Sequence, residues 1–217
     1  MSTANDVLVP ASAQISDASN VTWSTSLLIT YLNLAIKAII NLKPECNPSS
    51  QLVTLAAGPI QASPSGCVRI LSAICNMGSG GTTPGLAIET LEKEVLNFRR
   101  PSWPSDTSNA VTNILIRDKQ TPKIFYVWPP NTGGQQIQVV FSQIPANLAA
   151  TTDTFPLDDI YIPSCVDYLI YRALGDENSI QYSLQKSQLY YKSFMQSLGF
   201  MTAQEEKIIA QEEAKPV

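Results

Sequence analysis

The chain has 217 residues, 44% of them hydrophobic and 15% charged, with a net charge of -4. That is enough to bury an ordinary core without disulfides, and so little charge suggests a surface covered in part by other protein. Scattered Lys and Arg give no basic stripe for a phosphate backbone, and the absence of histidine removes Ser-His-Asp and Cys-His catalysis and the HExxH zinc motif.

Residues Ala4 to Ser16 read as a modest first helix, followed by a turn over Asn20 to Ser24 with several possible N-caps. A stronger second helix follows. Its Trp23, Leu27, Tyr31, Leu34, Ala38 and Leu42 form one stripe, and Leu28, Leu32, Ile36, Ile39 and Ile40 fill much of the remainder. A helix apolar nearly all round predicts cover on several sides, and Lys43-Pro44 ends it because the residue before proline avoids helical geometry. The stretch Leu27 to Leu42 is short for a bilayer and carries Asn33, Lys37 and Asn41, so it reads as a buried soluble helix with no membrane role. No signal-peptide pattern opens the sequence.

From about Gln51 to Pro145 the pattern changes to short β-rich runs, LVTLAA, CVRILSAI, NILIR, KIFYVW and QIQVVF, as in an antiparallel sheet or small sandwich. Turn residues between the last three predict a three-stranded meander. Within the same region IETLEKEVLNFRRPSWP places Leu91, Val95 and Phe98 on one face of a short helix that stops at Pro101.

Helical periodicity returns after Thr154. The carboxylates of Asp158 and Asp159 suit a helix start, Pro163 is tolerable in the first turn, and Gly175 is a stop. A fourth helix spans about Asn178 to Leu198, with Ile180, Leu184, Ser187, Tyr191, Phe194, Met195 and Leu198 on one face and Gly199 closing it. Beyond it Ile208-Ile209 stand among glutamates, in a segment too poor in apolar surface to fold alone. The expected fold is α+β: a four-helix bundle from both chain ends (1–50 and 150–199), an inserted antiparallel β domain (51–149) and a C-terminal docking tail (200–217).

The sequence offers no catalytic, cofactor or metal site. Gly78-Ser79-Gly80-Gly81 lacks the following GK[ST] of a phosphate loop. Asp158 and Asp159, as neighbours, point in different directions and suit capping better than an acid/base dyad. Cys46, Cys67, Cys75 and Cys165 form no CxxC unit and read as reduced thiols. On one strand Phe125 and Val127 share a face and Tyr126 and Trp128 share the other, where packing competes with a sugar- or base-stacking role. Tyr168, Tyr171, Tyr182, Tyr190 and Tyr191 raise the choice between core and subunit interface. Arg99-Arg100 with Trp103 is the one local basic and aromatic patch.

The segments NVTWSTSLLITYLNLAIKAIINLKPE, VRILSAICNMGSGGTTPG, KIFYVWPP, LDDIYIPSCVDYLIYRAL and YYKSFMQSLG, in this order and spacing over nearly the whole chain, resemble the head-to-tail adaptor family of short-tailed bacteriophages. These are similar in architecture to tail tubular protein A of the T7-like group. The resemblance implies a non-enzymatic virion protein of the neck, assembled in the host cytoplasm. It implies a ring of copies, dodecameric in such proteins, between the portal protein and the tail nozzle protein, through whose channel DNA passes during ejection without sequence-specific binding. It further implies that Phe200, Met201, Ile208 and Ile209 dock to the portal. Arg99, Arg100, Trp103, Tyr126 and Trp128 are then candidates for a subunit or tail interface. The competing reading is a carbohydrate- or peptide-binding β module using Trp103, Tyr126 and Trp128.

Overall fold

The computed structural model describes residues 1–176 and 183–199. In chain order its elements are α1 (Asn5–Gln14), α2 (Thr25–Leu42), β1 (Pro48–Thr54), β2 (Gly58–Ala62), β3 (Cys67–Gly78), β4 (Glu89–Glu92) and α3 (Lys93–Arg99). These are followed by β5 (Ile114–Arg117), β6 (Ile124–Asn131), β7 (Gln136–Gln143), α4 (Ile162–Leu174) and α5 (Leu184–Ser197). The chain divides into a helical unit, Met1–Ile39 with Pro145–Val217, and a β unit, Ile40–Ile144.

In the helical unit the link between α1 and α2 is organised by one carboxylate. Asp17, 6% exposed, accepts hydrogen bonds from the backbone N–H groups of Val21, Thr22 and Trp23 at 2.9, 3.0 and 2.9 Å. Burial alone would raise its pKa, but the three donors outweigh burial and hold it below the ordinary value. Ser16 and Asn20 on either side adopt left-handed backbone, φ 57° and 52°, which lets the chain reverse within the link. Trp23 is thereby buried at the entry to α2.

Along α2 the residues Leu28, Leu32, Ala35, Ile36, Ile39 and Ile40 are buried, whereas Ser26, Thr30, Leu34 and Asn41 are exposed. The second of the two sequence stripes is therefore the core one. The helix is covered on several sides and open only along a narrow solvent strip at helical spacing. By length and composition α2 is apolar enough to cross a membrane, alone among the described residues, and 44% of that window lies inside the protein.

Residues 145–157 form an irregular connection with a turn at 150–153 and a single bridge from Thr154 to Thr3. Asn33 on α2 grips this segment twice, donating from Nδ2 to the Leu148 carbonyl at 2.9 Å and accepting the Leu148 N–H at 2.8 Å. The N-terminus is pinned to the same stretch, with Ala4 N–H donating to the Asp153 carbonyl and Phe155 N–H to that of Ser2, both at 2.9 Å. Asp158 accepts from Ile160 N–H and caps the turn that leads into α4, and Pro163 falls in the first turn, where its missing donor costs nothing. Helix α4 packs against α5 and α1.

The α+β class stands, with five helices and two sheets among the described residues, but the expected four-helix bundle from both chain ends is not formed. A bundle packs its helices side by side around one shared core. Here α1 has 10 residues with Pro10 inside it and α2 has 18, and the Asn33 position of α2 is taken by the irregular 145–157 connection. A further helix, α3, lies within the β unit.

The β unit contains two sheets, β1-β7-β3 and β2-β6-β5-β4. All pairs are antiparallel except β4 with β5, which run parallel from Glu89 opposite Ile114 to Glu92 opposite Arg117. The predicted meander of NILIR, KIFYVW and QIQVVF is corrected: β5 and β6 pair, and β7 joins the other sheet. Pro129 and Pro130 close β6 without N–H donors, and the connection bonds elsewhere, Gly134 N–H to the Leu55 carbonyl and Leu55 N–H to that of Gln135. Between the sheets Leu115, Phe125, Val127, Ile137, Val139 and Phe141 form a closed core. Along the opposite edge β3 meets the 86–90 segment through Ile88 N–H to the Ile74 carbonyl and Ala73 N–H to Thr90 Oγ1. The four cysteines are free of disulfides, and burial pushes the Cys46 thiol up to about 11.

Two outcomes test the helical unit. Asn33→Leu removes both grips on Leu148 and is expected to lower the unfolding free energy by about 1–3 kcal/mol in urea titrations. Asp17→Asn is expected to cost about 1–3 kcal/mol at pH 7. Because the folded pKa of Asp17 lies below its unfolded value, its contribution is present above the unfolded value and is lost as pH falls through the folded one. The stability gap between wild type and Asp17→Asn is therefore expected to close below about pH 4, read by denaturation at stepped pH.

Candidate assembly interface

Strands β5 and β6 are apolar on both faces, since alternate residues point to opposite sides. Leu115, Phe125 and Val127 enter the core between the sheets, while Ile116, Tyr126 and Trp128 point the other way with Ile114. The second face is roofed by α3 and a turn of 3-10 helix, Trp103–Ser105, which set Leu96 and Trp103 onto it. Trp103 is 3% exposed, its ring meets Tyr126 edge-on at 5.7 Å, and its Nε1 donates to Asn97 Oδ1 at 2.8 Å.

Charged groups fasten the roof. Asp106 accepts from Arg100 Nε and, at 2.7 Å, from Trp128 Nε1, and these bonds hold its carboxyl below the usual range. The Arg100 guanidinium also lies 5.2 Å from the centre of the Trp128 ring, within cation–π range. Lys93 donates to Asp118 at 2.9 Å and stands 5.1 Å over Tyr126; the Asp118 bond raises the Lys93 pKa and lowers that of Asp118. Arg117 joins Glu92 on β4 to the Leu71 carbonyl on β3. Asn76, buried, clamps two loops by donating to the Leu86 and Thr112 carbonyls and accepting from Thr112 N–H.

The five candidate residues are thus near one another, but in different states. Trp103 is enclosed, Tyr126 and Trp128 are half-buried beneath the roof, Arg100 is tied to Asp106, and Arg99 is exposed. The three rings do not form an open stacking platform. The exposed residues of α3 are instead Glu94, Val95, Asn97, Phe98 and Arg99, with Phe98 88% exposed. The sequence reading put Leu91, Val95 and Phe98 on the inner face. The chain is a strand through Glu92 and turns helical only at Lys93, so the helical phase shifts and Leu96 becomes the inward residue.

In the helical unit Tyr168 packs edge-on against Phe194 at 5.1 Å and Tyr171 lies 4.9 Å from Tyr191, so three of the suspected interface tyrosines join α4 to α5. Asp158 serves as a cap, and Asp159 is exposed beside it. A groove of about 650 Å³ is lined by Ile15, Leu174, Leu189 and Tyr190, with Lys186 and Ser193 at its polar side. Tyr182 and the portal-docking candidates Phe200, Met201, Ile208 and Ile209 lie outside the described residues.

Trp103→Ala is expected to cost about 3–5 kcal/mol by opening a cavity under the roof, whereas Arg99→Ala is expected to stay within about 0.5 kcal/mol of wild type. Urea unfolding followed by intrinsic fluorescence measures both.

A family model described as SU10 adaptor protein matches residues 2–212. A search of curated proteins found no match.

Proposed function

The chain belongs to the SU10 adaptor protein family, and from that premise we propose that it forms a ring between the portal protein and the tail nozzle of a short-tailed phage, as part of the DNA ejection channel. The family match over nearly the whole chain carries this reading. The family is one of structural phage components that join other head and tail proteins, so the chemistry to be explained is recognition and order of assembly.

Several observations support the finer account. Two units with separate cores give one chain two distinct surfaces, as a connector between two partners needs. We assign the helical unit and residues 200–217 to the portal and the β unit to the tail. Phe200, Met201, Ile208 and Ile209 would be the apolar anchors at the portal, held among Glu205, Glu206, Glu212 and Glu213. A net charge of -4 suits a channel along which DNA slides without adhering. The protein is a virion component, and we place its assembly in the host cytoplasm.

The purified chain, incubated with portal rings of the same virion, is expected to co-sediment with them and to appear as an added ring in electron micrographs. A variant ending at Gly199 is expected to lose that binding. Full-length protein that leaves the portal bare would overturn the adaptor role, and retention by the truncated variant would overturn docking through the last residues.

A further inference from the structure

The groove of about 650 Å³ in the helical unit lies between the ends of α1 and α4 and one side of α5. Helix α5 carries two stripes. Ser187, Tyr191 and Phe194 bind α4: the Ser187 hydroxyl donates to the Tyr171 carbonyl at 2.9 Å, and the two rings meet Tyr171 and Tyr168. Lys186, Leu189, Tyr190 and Ser193 form the second stripe at helical spacing and line the groove. Its apolar side is completed by Ile15 and Leu174, both buried, whereas Leu189 is 66% exposed. The volume is in the range that takes a drug-sized ligand, which is ample for two isoleucine side chains.

Charge does not choose what fills this groove. Lys186 is exposed and has no ion-pair partner among the described residues, but Asp167 stands beside Ser193, whose hydroxyl donates to it at 2.6 Å. The carboxylate of Asp17, in the link after α1, is taken up by its three backbone donors. Tethering chooses instead. Gly199 closes α5 in left-handed backbone, φ 80°, the conformation in which a chain turns off a helix end. Eighteen residues follow it, and Ile208 and Ile209 stand nine and ten residues beyond Gly199, as Tyr190 and Leu189 stand nine and ten before it. Leu189 lies about 15 Å from Gly199 along the helix, and nine residues of chain span up to about 30 Å. Phe200 and Met201 are too close to Gly199 to cover that distance. A chain that doubles back with helical rise brings the isoleucines level with Tyr190 and Leu189, and Glu212 level with Lys186, thirteen residues to either side. A segment tethered this closely is present at about millimolar effective concentration, which a separate partner does not match.

We propose that in the free protein Ile208 and Ile209 seat in this groove of their own chain, against Ile15, Leu174 and Leu189, and that portal binding draws them out. The groove contact stands on the groove and the tether, and the release rests on the portal reading above. The same side chains cannot occupy both sites, so the free chain hides its portal anchors. A surface takes the tail only if it binds it better than the groove does.

The test uses the full-length chain in a Cys46→Ala background with Lys186→Cys and Glu212→Cys, treated with a short bismaleimide in dilute solution. A cross-link within one chain, located by peptide mass, is expected, and Ile208→Ser with Ile209→Ser is expected to slow its formation about tenfold. Equal rates with and without the isoleucines, or links formed only between chains, overturn docking in the chain's own groove. Added portal rings are expected to abolish the link. Rings that bind the chain and leave the link in place overturn the release and leave the groove contact standing. A chain that binds no portal overturns the portal reading and the release with it, while the isoleucine dependence of the link still decides the groove contact. Leu189→Ser weakens the groove without touching the tail and is expected to tighten portal binding about threefold; unchanged or weaker binding overturns the competition between the two sites.

Discussion

Strands β5 and β6 carry apolar side chains on both faces, and each face must be covered separately. One face closes against β7 and β3 in the core around Phe125, Val127, Val139 and Phe141. The other is closed by the chain itself, which leaves β4, forms a helix of 7 residues and returns through Trp103. The ion pairs Lys93–Asp118, Arg100–Asp106 and Arg117–Glu92 lie around this roof and are partly exposed, so their value is mainly in fixing its position. The energy of the arrangement comes from burying Leu96, Trp103 and Ile116. Once the roof is in place, Phe98 has no inward site left and stands in solvent.

The helical unit is governed by a different demand, that of joining segments from distant parts of the sequence. Asp17 gathers three backbone donors and turns the chain into α2, and Asn33 then recognises the backbone of Leu148, 115 residues later. Both make two or more short hydrogen bonds to backbone groups, and a paired polar side chain specifies structure where an unpaired one would weaken it. With residues 2–5 pinned to the 151–155 stretch, the unit acquires a surface assembled from both chain ends. This suits a component that must offer separate faces to several neighbours.

The aromatic residues show why exposure must be known before a role is assigned. Trp103, Tyr126 and Trp128 have the composition of a recognition surface, yet their rings and polar atoms are largely satisfied inside the β unit. Tyr168, Tyr171 and Tyr191 likewise connect α4 with α5. The large apolar side chains that do stand in solvent, among them Val21, Leu86, Phe98, Ile160 and Leu189, are scattered over both units and are less conspicuous in the sequence.

Sequence alone determined the elements whose pattern is local. The span of α2, its end at Lys43-Pro44, the tolerance of Pro163 at the start of α4 and the alternation of Phe125 and Val127 against Tyr126 and Trp128 all follow from periodicity and from proline's missing donor. The exclusion of histidine chemistry follows from composition, and the adaptor family follows from the order of motifs along the chain. Tertiary structure decided the rest: the parallel pairing of β4 with β5, the transfer of β7 to the second sheet, the hold of Asn33 on the irregular 145–157 connection, and the inward turn of Leu96 in place of Phe98. Each of these depends on which distant group satisfies a backbone donor or covers an apolar face. Local periodicity carries no information about that partner, because hydrogen bonds and burial reward any geometry that closes them, and only the whole chain fixes which one does.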